Sequence, residues 1–141
     1  MSAVAEDRQV SQEAENKALV TAFFADVDAG RADAAFARLA PDVAFELIAP
    51  APHGGLYDRD GLSRFFAEVM APAMAGPFSV KVTGMTAEGD RVAVETVSNC
   101  VNGSGMLYNN RYHSLFVIRD GQIVALREYL DSAHLLAFIA G

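Results

Sequence analysis

At 141 residues the chain has the length of one ordinary domain, enough to bury a core without disulfide or metal staples. Hydrophobic residues make up 52% and charged residues 21%, a globular composition that excludes disorder and leaves apolar material for a cavity as well as a core. The formal charge of −7, with 11 Lys and Arg scattered along the chain, excludes the footprint of a nucleic-acid binder and makes an anionic membrane an equally poor partner.

Cys100 is the only cysteine, so no intramolecular disulfide forms and a reducing compartment is expected; in a strand it reads as a small core residue rather than a nucleophile. The opening MSAVAEDRQV carries acids where a signal peptide has a basic and then an apolar region, and no apolar run approaches the ~18 residues of a membrane helix. A cytoplasmic location is the expectation.

Residues 1–10 read as a flexible leader to one domain over 11–141. Ser11 is positioned as an N-cap, with Glu13 and Glu15 in the first turn where the helix dipole favours negative charge. Leu19, Val20, Phe23, Phe24 and Val27 recur at helical intervals until Gly30. A second helix is predicted over 31–39, stopped by Pro41, and a short strand over 42–48. APAPHGGLYDRDG is a loop in which Asp58 or Asp60 can cap a third helix over 60–70.

From Phe78 the hydrophobic period changes to two. FSVKVTGMT, RVAVETVSNCV, MLYNNRYHSLFVIR and QIVALREYL are four predicted strands of an antiparallel meander, separated by EGD, NGSG and DG turns. Asp131 can then cap a closing helix. Helices followed by long consecutive strands form an α+β pattern in which the helices cover one face of a curved sheet. The other face, with Leu107, Leu115, Val117, Ile123, Ala125 and Tyr129, is too apolar for solvent, which predicts a homodimer through it.

The last strand raises a chemical question. In IVALREYLD an ionisable carboxyl, Glu128, shares a face with Val124, Leu126 and Leu130. An unpaired carboxylate on such a face is expensive to bury, so the group is protonated, paired or placed there for chemistry. A salt bridge to Arg127 or Arg111, or solvent at the strand end, is the structural alternative.

The order of elements, together with GLYDRDGLSRFF and FVIRDGQIVALREYLD, resembles the nuclear transport factor 2-like superfamily, in its SnoaL-like and ketosteroid-isomerase-like branch. The resemblance implies a cone-shaped, cystatin-like fold: a curved antiparallel sheet wrapped around three N-terminal helices, with a short C-terminal helix. In ketosteroid isomerases a catalytic base follows the first strand, where this chain has Leu47, and a first-helix tyrosine falls at Phe23. Of the limonene epoxide hydrolase set, the arginine place resembles Glu95, the first aspartate Val97 and the water-holding pair Phe45 and Leu47; only the second aspartate keeps an acid, Glu128. The REY position also resembles the acid/base glutamate of phenazine-biosynthesis members. On this reading Glu128 faces a pocket, where an apolar setting raises its pKa.

The RDGQ turn leaves two registers open. A three-residue loop pairs Tyr112 with Glu128, joining the apolar faces of the two strands, and a two-residue turn pairs His113 with it. In the first, Tyr112, Asn110 and Ser114 share the pocket face with Glu128. The resemblance turns Glu95 and Asn99 inward as well, where Glu95 and Glu128 would share a proton; on an exposed edge, Glu95 would instead pair with Arg91 or Lys81. Phe23, Phe45, Leu47 and Leu126 are expected cavity wall, and His53 and Tyr57 lie in the loop that covers the cavity mouth in the family. The three histidines form no metal-binding spacing, and no Gly-rich loop opens a helix, so neither a metal nor a nucleotide cofactor is expected.

These readings converge on a SnoaL-like enzyme working without a cofactor on a hydrophobic cyclic or polyketide-like molecule. Its chemistry would be isomerisation, cyclisation, dehydration or hydrolysis, with Glu128 and Glu95 as acid/base groups. The alternative is a non-catalytic lipophile carrier or dimeric interaction module on the same fold.

Overall fold

In the computed structural model, which describes residues 2–141, the first helix begins well before the apolar spacing predicts. Helix α1 spans Ala3–Asp28, and Ser2 rather than Ser11 is its N-cap, accepting the Ala5 N–H at 3.2 Å. The expected leader over 1–10 is thus helical from Ala3, with Met1 outside the described residues. Intrinsic propensity explains this: Ala3, Ala5, Glu6, Arg8 and Gln9 favour helix, and a turn exposed to solvent needs no apolar stripe. The helix ends in a Schellman pair, Gly30 N–H to Val27 O and Arg31 N–H to Asp26 O, with Gly30 at φ +77°.

Helix α2 (Ala32–Phe36) is shorter than predicted because Leu39 already belongs to strand β1 (Leu39–Ile48). Pro41 lies where the ladder of β1 is interrupted between Leu39 and Ala44, as a residue without an N–H requires. The Gly/Pro loop holds a short strand β2 (Gly55–Tyr57), and Asp58 caps α3 (Arg59–Phe65) by accepting the Gly61 N–H at 2.7 Å. A π-helical turn (Phe66–Met70) and a short α4 (Ala71–Ala73) continue it.

Strands β3 (Ser79–Glu88), β4 (Arg91–Val101), β5 (Leu107–Tyr108), β6 (Arg111–Arg119) and β7 (Gln122–Leu130) follow, and Asp131 caps α5 (Ser132–Ala140). The predicted third strand is divided at Asn109 and Asn110 into β5 and β6, both paired with β4. The sheet order is β2-β1-β7-β6-β4-β3, antiparallel throughout except for β1 against β7. It curls into a half-barrel whose inner face packs on the helices, giving the expected α+β cone. Phe23 and Phe24 of α1 meet each other edge to face at a centroid distance of 5.2 Å, and each meets Phe116 of β6 at 5.6 Å. Each such pair adds about 1 kcal/mol beyond its buried area.

The β6–β7 hairpin follows neither predicted register. Asp120 (φ 52°) and Gly121 (φ 73°) make a two-residue turn with positive φ at both centres, pairing Arg119 with Gln122 and Ile118 with Ile123. Val124 then bulges, so Val117 pairs with Ala125 and Glu128 lies opposite Ser114. Tyr112 and His113 oppose Leu130 and Tyr129. The extra residue restores the parity of the three-residue reading, so Tyr112 and Ser114 still share the inner face with Glu128. It also turns Ile123 inward, fully buried, which corrects its expected outer position. On the outer face Leu107 and Tyr129 are exposed, and Leu115, Val117 and Ala125 are half-buried.

Candidate active site

Strand β4 presents the opposite face from the one expected. Val92, Val94, Thr96, Ser98 and Cys100 are buried, whereas Glu95, Val97, Asn99 and Val101 are exposed on the outside. The register with β6 fixes this: Val92 pairs with Phe116, Val94 with Ser114 and Thr96 with Tyr112, all inner residues, and Glu95 pairs with His113 outside. Valines stand on both parities of RVAVETVSNCV, so its alternation does not mark the inner side. Glu95 and Glu128 therefore lie on opposite faces of the sheet, and no carboxylate pair forms.

Between the sheet and the helices lies a cavity of about 480 Å³, within the range of small-molecule sites. Its walls are Phe23 and Phe24 of α1, Phe36 of α2, Phe45 and Leu47 of β1, Phe65, Phe66 and Met70 beyond β2, and Phe116 and Leu126 of the last hairpin. Among the described residues no Lys, Arg or His lines it. The carboxyls in its lining are Asp28 and Glu128. Asp28 is already committed, bonded to Lys81 Nζ at 2.7 Å, Val80 N at 2.9 Å and Ser79 Oγ at 3.0 Å. The Lys81 ammonium and these donors hold its carboxyl below the usual range.

Glu128 is different. In the sheet it stands between Leu47 of β1 and Ser114 of β6, and its carboxyl has no hydrogen-bond or ion-pair partner among the described residues. The alternative salt bridge to Arg127 or Arg111 is absent, since both arginines are exposed and Arg127 occupies the outer parity. Burial alone pushes the Glu128 pKa up from 4.5 to about 7. Near neutrality the carboxyl is therefore poised between acid and base forms. Across the strand pair, the Ser114 hydroxyl is buried with no partner among the described residues, and Ser114 lines the same cavity.

A hydroxyl network flanks this pair. Tyr112 Oη lies 3.0 Å from both Ser98 Oγ and Tyr108 Oη, and Asn110 Nδ2 donates to Tyr108 Oη at 3.0 Å. Burial pushes the Tyr108 phenol up to about 12 and raises that of Tyr112 further. Both stay protonated and able to donate. The Tyr108 ring stacks on Phe138 of α5 at 4.4 Å, which ties the network to the closing helix.

Of the sequence-predicted residues, Glu128, Tyr112, Ser114, Phe23, Phe45, Leu47 and Leu126 meet at the cavity. Asn110 is buried beside it, with its polar atoms spent on protein partners. Glu95 and Asn99 are outside. His53 and Tyr57 lie behind the wall: the Tyr57 hydroxyl donates to the His53 carbonyl, and its ring packs on Phe45 and Phe65, with centroids 6.2 and 5.4 Å away. Both are absent from the lining because β2 pairs with the edge of β1 and holds them there. Thr96, Ser98 and Tyr108 escaped the sequence reading; the inner parity of β4, read from Cys100 backward, is the signal for the first two.

A family profile described as a SnoaL-like domain matches residues 20–126. No curated protein matches the chain in sequence. Among solved structures, TerC co-crystallised with polyporic acid superposes with a TM-score of 0.76 at 19% identity, covering 90% of this chain and 99% of its own. An NTF2-like protein from Burkholderia pseudomallei K96243 gives 0.77 at 19% identity, with 90% and 98% covered. IdmH from Streptomyces antibioticus, a proposed polyketide cyclase, gives 0.72 at 18% identity, with 89% and 99% covered. At such identities these structures establish the fold.

Proposed function

Because the chain belongs to the SnoaL-like domain family, we propose that it is an enzyme of general acid/base chemistry acting on a hydrophobic cyclic or polyketide-like molecule held in the cavity. The observation that carries this reading is the unpaired Glu128 carboxyl, poised near neutrality in an apolar enclosure. A carboxylate of that basicity removes a proton from carbon next to a carbonyl, and the carboxylic acid so formed returns it to another atom. Tyr112 donates to the oxygen on which negative charge develops, a contribution worth about a hundredfold or more where water is excluded. Isomerisation, cyclisation and dehydration share that first step; in hydrolysis Glu128 would activate water instead. The polyporic acid of TerC and the proposed cyclase role of IdmH support a small organic ligand here as well.

The apolar Phe23 and Leu47, where related isomerases carry a tyrosine and a base, favour a second reading, a carrier that holds a lipophile without turnover. Proton exchange separates the two. A panel of polycyclic aryl ketones in D₂O is expected to exchange α-protons with the wild-type protein and to lose at least tenfold of that rate with Glu128→Gln. A smaller loss, or ketones bound without exchange, would overturn the enzymatic reading. The exposed Val97, Val101, Leu107 and Tyr129 also support a homodimer through the outer sheet face.

A further inference from the structure

Asn110, one of the most buried polar residues, is fixed by its partners on every side. Its Oδ1 accepts the N–H groups of Arg111 at 2.8 Å and Asp131 at 3.1 Å, so the amide cannot be flipped. Its two amide protons then go to the Asp131 carbonyl and to Tyr108 Oη, each at 3.0 Å. Its backbone N–H donates to Ser98 Oγ at 3.1 Å.

These bonds determine where the hydroxyl protons point. Tyr108 Oη and Ser98 Oγ each already accept from Asn110, and among the described residues the acceptor within reach of the proton of each is Tyr112 Oη. If Tyr112 turned its own proton toward either one, that hydroxyl would be a buried donor with no acceptor. With both protons donated to Tyr112 Oη, the Tyr112 proton is left to point elsewhere. Tyr108 also borders the cavity, but it and Ser98 are buried, whereas Tyr112 keeps accessible surface in the lining.

We propose that Asn110, Ser98 and Tyr108 are positioning residues that aim the Tyr112 hydroxyl proton into the cavity, so that this wall binds a ligand through an oxygen acceptor and not through a donor. The inference rests on the cavity being the ligand site and adds the polarity of the group that site selects. The buried Ser98 and Tyr108 act through Tyr112.

The test compares two probes of nearly equal shape, 2-acetylnaphthalene and 2-ethylnaphthalene, by calorimetric titration and by the infrared stretch of the bound carbonyl. Wild type is expected to favour the ketone several-fold and to lower its carbonyl stretch. Tyr112→Phe removes the preference while leaving the hydrocarbon's affinity unchanged. Asn110→Ala and Tyr108→Phe are expected to reduce the preference at least threefold and to move the stretch back toward its value in hydrocarbon solvent. Asn110 also anchors α5, so its loss can change melting temperature for structural reasons alone; the preference ratio and the stretch do not respond to that. Tyr108→Phe keeps the ring stacked on Phe138 and serves where the Asn110 variant fails to fold. An unchanged ratio and stretch in Tyr108→Phe, or equal binding of both probes to wild type, overturns the positioning role and leaves the acid/base reading standing. Binding of neither probe to wild type overturns both.

Discussion

Replacing Glu128 with Gln removes a carboxyl whose burial is uncompensated, and the consequence for stability has a definite sign. The folded pKa of about 7 lies above the ordinary 4.5, so between those values the folded state binds more protons than the unfolded state. Stability contributed by protonated Glu128 is complete below about pH 4.5, falls as pH rises toward 7, and stays lost above it. At about 1.4 kcal/mol per pH unit, the gap corresponds to roughly 3 kcal/mol at pH 8. Gln is similar in shape and never ionises. Urea denaturation of both proteins from pH 4 to 8.5 is therefore expected to show nearly equal stability at pH 4 and a Gln variant about 3 kcal/mol more stable at pH 8. Other titrating groups are common to both proteins and cancel in the difference. A gap that stays constant with pH, or a Gln variant less stable at pH 8, would refute the claim that Glu128 is desolvated and unpaired.

Three further outcomes follow from the fold. Ile123→Ala is expected to cost about 2–4 kcal/mol in urea denaturation and Val124→Ala less than about 1 kcal/mol, because the bulge buries the first and not the second; the reverse order would place the bulge elsewhere. The Asp26 carboxyl, held below its usual range by Arg38 and Arg31, adds stability above about pH 3.8 that is lost as pH falls through its lower folded value. Asp26→Asn should thus weaken the protein at pH 7, with the difference shrinking below pH 4. Sedimentation equilibrium at micromolar concentration should give a dimer for wild type and a monomer for Leu115→Glu on the outer face; a wild-type monomer would remove the dimer proposal.

The inner position of Glu128 was legible because it follows from parity alone, and parity survived an error in register. Sequence spacing offered Tyr112 or His113 as its partner, whereas the type of turn and the bulge at Val124 together select Ser114. A bulge leaves no mark in IVAL, since every residue there is apolar. Strand β4 is opaque for a related reason: with Val92, Val94, Val97 and Val101 on both parities, only the resemblance assigns its inner face, and the fold turns Glu95 and Asn99 outward. The first nine residues of α1 were missed because propensity, not amphipathic spacing, makes them helical. Its face alone puts Asn110 among ligand contacts; only the hydrogen bonds show that it serves Tyr108 and Asp131 instead.

The most direct measurement is the titration of the Glu128 side-chain carboxyl by carbon NMR of labelled glutamate, assigned through Glu128→Gln. One midpoint near 7 is expected, unchanged in Glu95→Gln because the two carboxyls lie on opposite faces of the sheet. A midpoint near 4.5 would contradict it, making Glu128 a solvated strand residue rather than the proton-transfer group of the cavity.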